Sequence, residues 1–532
     1  MTAVTSPLAA LADGGPPVDL PDDRGLAHVV DEHARTDPGR AVFLLPDGTE
    51  IPAGRLRDDV DRAAARLLAA GLGTGERLAV LGVTSYAWVV ADLAALSVGG
   101  VVVPVYPTSS PAQLRHLLAD SGAVLALADT AEQRAALDAT GPGLRRPAAP
   151  LADVVAPGEA PAAPDLTRRR DEVGADDLAT IVYTSGTTGD PKGCMITHRN
   201  MFVAAAGVVD RQPGMFGVDG SAATTVLALP LSHVFGRTVL MSCLIGRTRV
   251  TPVPGFPEML EALPRVTPTF MTLVPYALEK IRKAGATSFG GRLRHVICGG
   301  ASLDPSTHAW FADQGVTVYQ AYGLTESATA VTVNGPGPDD RIGTVGRPIA
   351  GVRVGIAADG EVLVAGRNVT PGYWGRHPAT ADGWLPTGDL GALDDDGFLT
   401  ITGRRKEILV TSGGKNVAPT PLEDRVRLHP LISACMVVGE GRSYVAALVT
   451  LDESALERAG LDRDHHADTI RAGVAEAVDA ASATVSRAEA IRRFRIVRGD
   501  FTVAGGHLTP SMKLKRAAIL RDWSADLDEL YS

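Results

Sequence analysis

Between Arg77 and Asp129 short, continuously apolar runs alternate with segments of helical period, and that alternation narrows the fold more than any other feature. RLAVLG (Arg77–Gly82) reads as a buried strand and YAWVVADLAAL (Tyr86–Leu96) as a helix. GVVVPVY (Gly100–Tyr106) follows as a strand, PAQLRHLLADSG (Pro111–Gly122) as a helix and AVLALA (Ala123–Ala128) as a third strand. Strands that are apolar on both faces and joined by helical crossovers form a parallel sheet covered on both sides. The pattern resumes later. Thr224–Pro230, Pro268–Val274, Leu293–Cys298 and Thr317–Ala321 read as strands and Tyr276–Lys283 as a helix. A further helix starts with Asp304 as its cap and Pro305 in its first turn. The fold class is α/β.

A chain of 532 residues exceeds one ordinary core, so two or more domains are expected. Residues 1–22, rich in Ala, Pro, Gly and Asp, read as a loose leader. Gly141–Asp177 shows little periodicity and reads as a surface connection. From about 331 to 402 short strands take over, with Asp359-Gly360 and Asp396-Gly397 as hairpin turns. This is a small β subdomain at the end of a large domain, 23–403. The polar segment GRRKE follows, and a hinge can sit there, at 404–406. Residues 407–532 form a small α+β domain, with a helix near Leu422–Leu428, strands Ile432–Val438 and Tyr444–Leu451, and a final strand, loop and helix.

The net charge of −10 argues against a nucleic-acid surface. Four scattered cysteines, Cys194, Cys243, Cys298 and Cys435, have no zinc or CxxC spacing and read as reduced thiols of a cytoplasmic protein. The N-terminus lacks a secretion signal. No apolar run spans a bilayer, since the longest, Ala87–Tyr106, is broken by Asp92 and Gly99-Gly100.

Chemistry concentrates in YTSGTTGDPKG, Tyr183–Gly193. Gly186, Gly189 and Gly193 let the backbone turn tightly and bring its N–H groups to an anion. Thr184, Ser185, Thr187 and Thr188 add hydroxyl donors, and Lys192 adds a mobile charge. The set suits a polyphosphate. It is not a Walker A loop, because Lys192 lies between Pro191 and Gly193. Glu326, just past a strand end, is a carboxylate of the kind that holds Mg2+ beside phosphates. Asp389, on a Gly-flanked turn, suits a sugar diol, although an ordinary Asp turn reads the same way. Lys513 and Lys515 both stand near the C-terminus, and Lys515 also fits the start of a basic helix.

The glycine-rich loop resembles the phosphate-binding signature of the AMP-forming adenylate ligases, the superfamily of acyl-CoA synthetases, adenylation domains and beetle luciferases. Further strings in the same order carry the resemblance: PLSHVFGR (Pro230–Arg237), YGLTES (Tyr322–Ser327), PTGDLG (Pro386–Gly391) with ITGRRKE (Ile401–Glu407), and LTPSMKLKR (Leu508–Arg516). It spans about Arg77 to Arg516, and PLSHVFGR and LTPSMKLKR look most like long-chain fatty acyl-CoA synthetases.

The resemblance implies ATP, Mg2+ and coenzyme A as reactants, a large domain, and a mobile small one that rotates about Lys406. It implies that Asp389 and Arg404 meet the ribose. Tyr322, Gly323, Gly299, Gly300 and Ala301 would line the adenine and acyl-carboxylate region. Thr325 would bond the α-phosphate, Glu326 would hold the metal, and His233 would position the acyl carboxylate. Lys513 would bridge the reacting anions; it fits better than Lys515 because Arg516 follows three residues later, although Met512 stands where the family has Gly. Gly413 and Gly414 would meet the pantetheine arm. The product is then an acyl-CoA made through an acyl-adenylate. The alternatives are an aryl or natural-product acid, a carrier-protein thiol as acceptor, a nucleotide-binding protein without catalysis, and a peripheral association with the membrane.

Overall fold

The continuous apolar runs of the N-terminal half pair side by side. In the computed structural model, which describes residues 8–184, 191–283, 285, 289–376, 378–509 and 513–532, Arg77–Leu81 lies between Val101–Val105 and Leu125–Ala128, parallel to both. Leu178–Thr184 joins beside Val102, and Lys192–Thr197 runs back antiparallel to it. The two-residue strand Gly372–Tyr373 and Ala149–Pro150 close the edges of this seven-stranded sheet.

Both faces are covered. Leu78, Val80 and Val102 belong to one core, with the helices Ala53–Ala70 and Tyr86–Ser97; Ala79, Leu81, Val101 and Val103 belong to another, with Pro111–Ser121. Every residue of Tyr86–Ser97 except Ala87 is buried, as a helix so largely apolar requires. Asp92, which interrupts that helix's apolar run, forms a buried ion pair with Arg237 at 2.5 Å. A charge is kept inside only with such a partner.

A second sheet begins with Phe270–Leu273, His295–Cys298 and Thr317–Tyr322, all parallel, and ends with the short antiparallel strands Thr332–Val333 and Arg347–Pro348. The Thr269 N–H donates to the Thr224 carbonyl and joins it to Thr224–Leu227, Arg249–Pro252, Ala41–Leu44 and Glu50–Pro52. A third, antiparallel sheet holds Val352–Ile356, Glu361–Gly366, Leu385–Leu393 and Leu399–Arg404. The change of texture after Val331 therefore serves two sheets.

The segment read as a loose leader is tied down. Ala10–Asp13 pairs with Val352–Ile356 as the edge of the third sheet, Leu20 is buried, and Asp19 and Asp22 form ion pairs with Arg199. The connection 141–177 likewise contains a strand, Ala149–Pro150, and a helix, Leu166–Asp171.

After Arg404 a 3-10 turn, Arg405–Glu407, leads into the small domain. Its sheet of Ile432–Val438, Val445–Leu451 and Ile491–Ile496 carries Pro419–Arg427 and Ala467–Ser482 in one core, and the C-terminal helices Arg516–Asp522 and Ser524–Tyr531 in the other. No helix among the described residues is long and apolar enough to cross a membrane. All four cysteines are buried free thiols.

Candidate active site

The strand Thr317–Tyr322 delivers YGLTES to the end of the second sheet. Gly323 is there because nothing larger fits: a Cβ would stand 1.2 Å from the Thr329 carbonyl oxygen. The chain turns back so tightly that Ala328 and Thr329 take φ of 50° and 92°, a region that side chains usually avoid. Hydrogen bonds hold the strain. Thr238 Oγ1 donates to the Ala328 carbonyl at 3.0 Å, and Asn368 Nδ2 donates to the Ala330 carbonyl at 2.8 Å. Residues kept in such conformations concentrate at functional sites.

Three groups of side chains meet the turn. The first is Tyr322, Asp389 and Arg404. Asp389 and Arg404 are direct partners across the third sheet, and Arg404 Nε donates to Asp389 Oδ1 at 2.6 Å. The Tyr322 hydroxyl donates to Asp389 Oδ2 at 2.7 Å. Burial first, and the Asp389 charge second, push the Tyr322 phenol well above its ordinary pKa. Both Asp389 oxygens are engaged, but a carboxylate has further lone pairs for a diol.

The second group is Glu326, Tyr373 and Lys192. The Tyr373 hydroxyl donates to Glu326 Oε1 at 2.5 Å, and the Lys192 ammonium lies 5.8 Å from the Tyr373 ring centre. Tyr373 reaches this place through the edge strand Gly372–Tyr373, which pairs with Met195 and Cys194. Thr184 and Lys192 are cross-strand partners at the base of the glycine-rich loop. Its tip, with Ser185, Gly186, Thr187, Thr188 and Gly189, lies outside the described residues.

The third group comes from two domains. His233 caps the helix Val234–Ile245, its Nδ1 accepting from the Phe235 N–H at 3.1 Å, so a proton on the neutral ring sits at Nε2. Burial, and then the charge of Lys513, lower its pKa to about 4. Lys513 belongs to the small domain. Its carbonyl accepts from the Thr509 N–H at 2.8 Å, and its N–H donates to Thr509 Oγ1 at 3.0 Å. Its own pKa is lowered by burial and by Arg404, while Asp389, Glu407 and Glu326 pull the other way. Lys513 thus lies within electrostatic range of His233, Glu326, Asp389 and Arg404.

Lys515 precedes the helix Arg516–Asp522 as its cap, and its N–H donates to the His507 carbonyl. Arg516 clamps Glu423 with two bonds of 2.8 and 2.7 Å.

Gly299 is buried between Phe235 and Ala321, while Gly300, at φ 91°, and Ala301 are exposed. Thr325 opens the short 3-10 turn Thr325–Ser327. Lys406 lies in the 3-10 turn between the domains. Gly413 and Gly414 stand apart from the three groups: their turn packs on the small domain's own 439–442 segment, where the Ser412 N–H donates to the Arg442 carbonyl. Sequence reasoning missed Tyr373 and Glu407. The neighbouring aromatic pair Tyr373-Trp374 between two glycines was the available signal for the first, and the end of ITGRRKE for the second.

No group of three or more His, Cys, Asp or Glu able to hold a metal occurs among the described residues. A lone carboxylate beside phosphate-binding groups fits Mg2+, which takes one or two carboxylates and completes its shell with phosphate and water.

A family model described as AMP-binding enzyme matches residues 30–374, and one described as AMP-binding enzyme C-terminal domain matches 406–532. The chain is 34% identical to the long-chain-fatty-acid–CoA ligase FadD15 of Mycobacterium bovis, covering 97% of this chain and 98% of that protein. It is 33% identical to a feruloyl-CoA synthase of an Amycolatopsis species, over 78% of this chain and 86% of the other. Among solved structures it resembles the o-succinylbenzoate CoA synthetase of Bacillus subtilis in complex with its acyl-adenylate, with a TM-score of 0.76 at 22% identity, covering 94% and 98% of the two chains.

Proposed function

We propose that this chain, which belongs to the AMP-binding enzyme family, joins a long-chain fatty acid to coenzyme A through an acyl-adenylate. In the first step a carboxylate oxygen attacks the α-phosphorus of ATP and pyrophosphate leaves. In the second, the thiol sulfur of coenzyme A attacks the acyl carbonyl and AMP leaves, with the thiol proton passing to solvent. The fatty substrate rests on the relative named for that activity, which this chain matches end to end.

The observation that supports the reading is the cluster of Asp389 with Tyr322 and Arg404 beside the Tyr373–Glu326 pair, with Lys513 near enough for their charges to act on it. The step brings two anions together, and a lysine between them offsets the charge that accumulates as they react. Asp389 and Arg404 hold the ribose, with Tyr322 beside the base. The neutral His233 ring donates from Nε2 to the incoming carboxylate without drawing the Lys513 charge away. Thr325 bonds the α-phosphate, and the loop 184–192 cradles the outer phosphates. Glu326, oriented by Tyr373, holds Mg2+, which when bound neutralises phosphate charge. No side chain serves as nucleophile; the gain comes from positioning and electrostatics.

Aryl acids form a second substrate class, favoured by the likeness to the feruloyl-CoA synthase. A carrier-protein thiol is the alternative acceptor. Pyrophosphate release from MgATP tests the reading. Release that requires an acid but not coenzyme A supports it, and release without any acid, or none with every acid tried, refutes it.

A further inference from the structure

Lys513 belongs to the small domain, yet Asp389, Arg404 and Glu326, whose charges act on it, and His233, on which its own charge acts, belong to the large one. The link at 404–408 is tied to the large domain by Arg405, which pairs with Asp359 and Glu361, and further contacts lie away from it. One such contact lies between the large-domain helix Pro275–Lys283 and the small-domain helix Pro419–Arg427. Glu279, 3% exposed, accepts from Arg427 Nε at 3.2 Å and from its terminal nitrogen at 3.3 Å. One turn along, Lys283 Nζ donates to the Ile432 carbonyl at 3.0 Å. Arg425 lies 3.7 Å from Asp304, the cap of the next large-domain helix.

Arg427 is the cation that crosses to Glu279. A carboxylate that is so buried when the domains meet is tolerated because a partner arrives with the second surface. Arg427 also pairs with Asp424 of its own helix at 3.2 Å, so docking in another orientation costs chiefly the buried Glu279 its partner, and that cost favours the one orientation. That orientation is the one in which Lys513 faces the site.

We propose that the Glu279–Arg427 pair, with Lys283 on the Ile432 carbonyl, is a positioning element for adenylation: it seats the small domain so that Lys513 enters the large domain's site. The proposal rests on the reading of Lys513 as the adenylation lysine. None of the three touches the reactants. Their effect on rate passes through Lys513 alone, as the fraction of molecules with that lysine in place.

A double-mutant cycle tests this on the full-length protein, with pyrophosphate release in the absence of coenzyme A as the readout. Arg427→Gln should lower kcat about tenfold or more, because removing one partner of a buried pair disfavours the docked state. The KM for ATP, set by the large domain, should stay within about twofold, because only the competent fraction changes. In a Lys513→Ala background the same substitution should cost less than about twofold, since no lysine remains to be seated. Lys283→Met, which keeps the apolar stem and removes the bridging donor, should show the same non-additivity and serves if Arg427→Gln does not fold. Equal losses with and without Lys513 would overturn the proposal alone. A Lys513→Ala enzyme that adenylates at the normal rate would overturn the assignment of Lys513 beneath it.

Discussion

Replacing Tyr373 by Phe removes one oxygen atom and isolates one contribution. The hydroxyl donates to Glu326 Oε1 at 2.5 Å, a short bond to a charged acceptor. The ring remains, so the Lys192 ammonium keeps its place 5.8 Å from the aromatic centre. The backbone is untouched, so the Thr370 N–H still donates to the Glu326 carbonyl. A hydrogen bond to a charged group contributes about 1.5–3 kcal/mol, or roughly 10–150-fold in an equilibrium constant. Partners that orient a metal ligand cost about 10–100-fold in metal affinity when lost.

Tyr373→Phe should therefore raise the Mg2+ concentration for half-maximal adenylation by roughly tenfold or more. At saturating Mg2+ the rate should recover to within a few-fold. The assay is pyrophosphate release against Mg2+ at fixed ATP, with unfolding temperature as a control. An unchanged Mg2+ dependence, or a rate loss that Mg2+ does not restore, would refute the reasoning that Tyr373 acts through Glu326.

Other substitutions separate the remaining roles. Lys513→Ala should slow adenylation about 10²–10³-fold, the scale of one lost transition-state donor, and largely spare thioester formation from supplied acyl-adenylate. Lys515→Ala should leave both steps within a few-fold; a large effect there alone, measured in the same half-reactions, would move the role to Lys515. Gly323→Ala drives a methyl into the Thr329 carbonyl and should lower stability by about 1–3 kcal/mol in denaturant titration. His198 and His233, with pKa values lowered by burial to about 3 and about 4, take up protons less readily in the folded chain than in the unfolded one, where the value is 6.5. Their contribution to stability is complete above about pH 6.5 and is lost progressively as pH falls toward 4, so the unfolding temperature should drop across that window and the drop should shrink in His233→Gln.

What the sequence made legible was local. Strands such as Val101–Val105 are buried on both faces, so they appear as uninterrupted apolar runs. Asp304 as a helix cap and Glu326 past its strand carry their meaning within a few neighbours, whereas Asp389, read as a turn residue, stands inside the strand Leu385–Leu393, paired with Arg404. Ala10–Asp13 gave no such signal, because a four-residue edge strand has little periodicity and its partner, Val352–Ile356, lies far along the chain. Asp92 looked like a break in an apolar segment because its counter-charge, Arg237, sits on another helix. Tyr373 was hidden for the same reason: a two-residue strand brings it beside a carboxylate that local spacing cannot link to it. The seating contact between Glu279 and Arg427 joins two domains and leaves no trace in either helix alone.

Mass spectrometry of the products from purified protein, MgATP, coenzyme A and a panel of acids from acetate to stearate, with benzoate and ferulate added, tests the central claim most directly. The account predicts coenzyme A thioesters of the long-chain fatty acids, with one AMP formed per thioester. Thioesters of short or aryl acids alone would contradict the substrate assignment, and acyl-adenylate accumulating without any coenzyme A thioester would contradict the ligase itself.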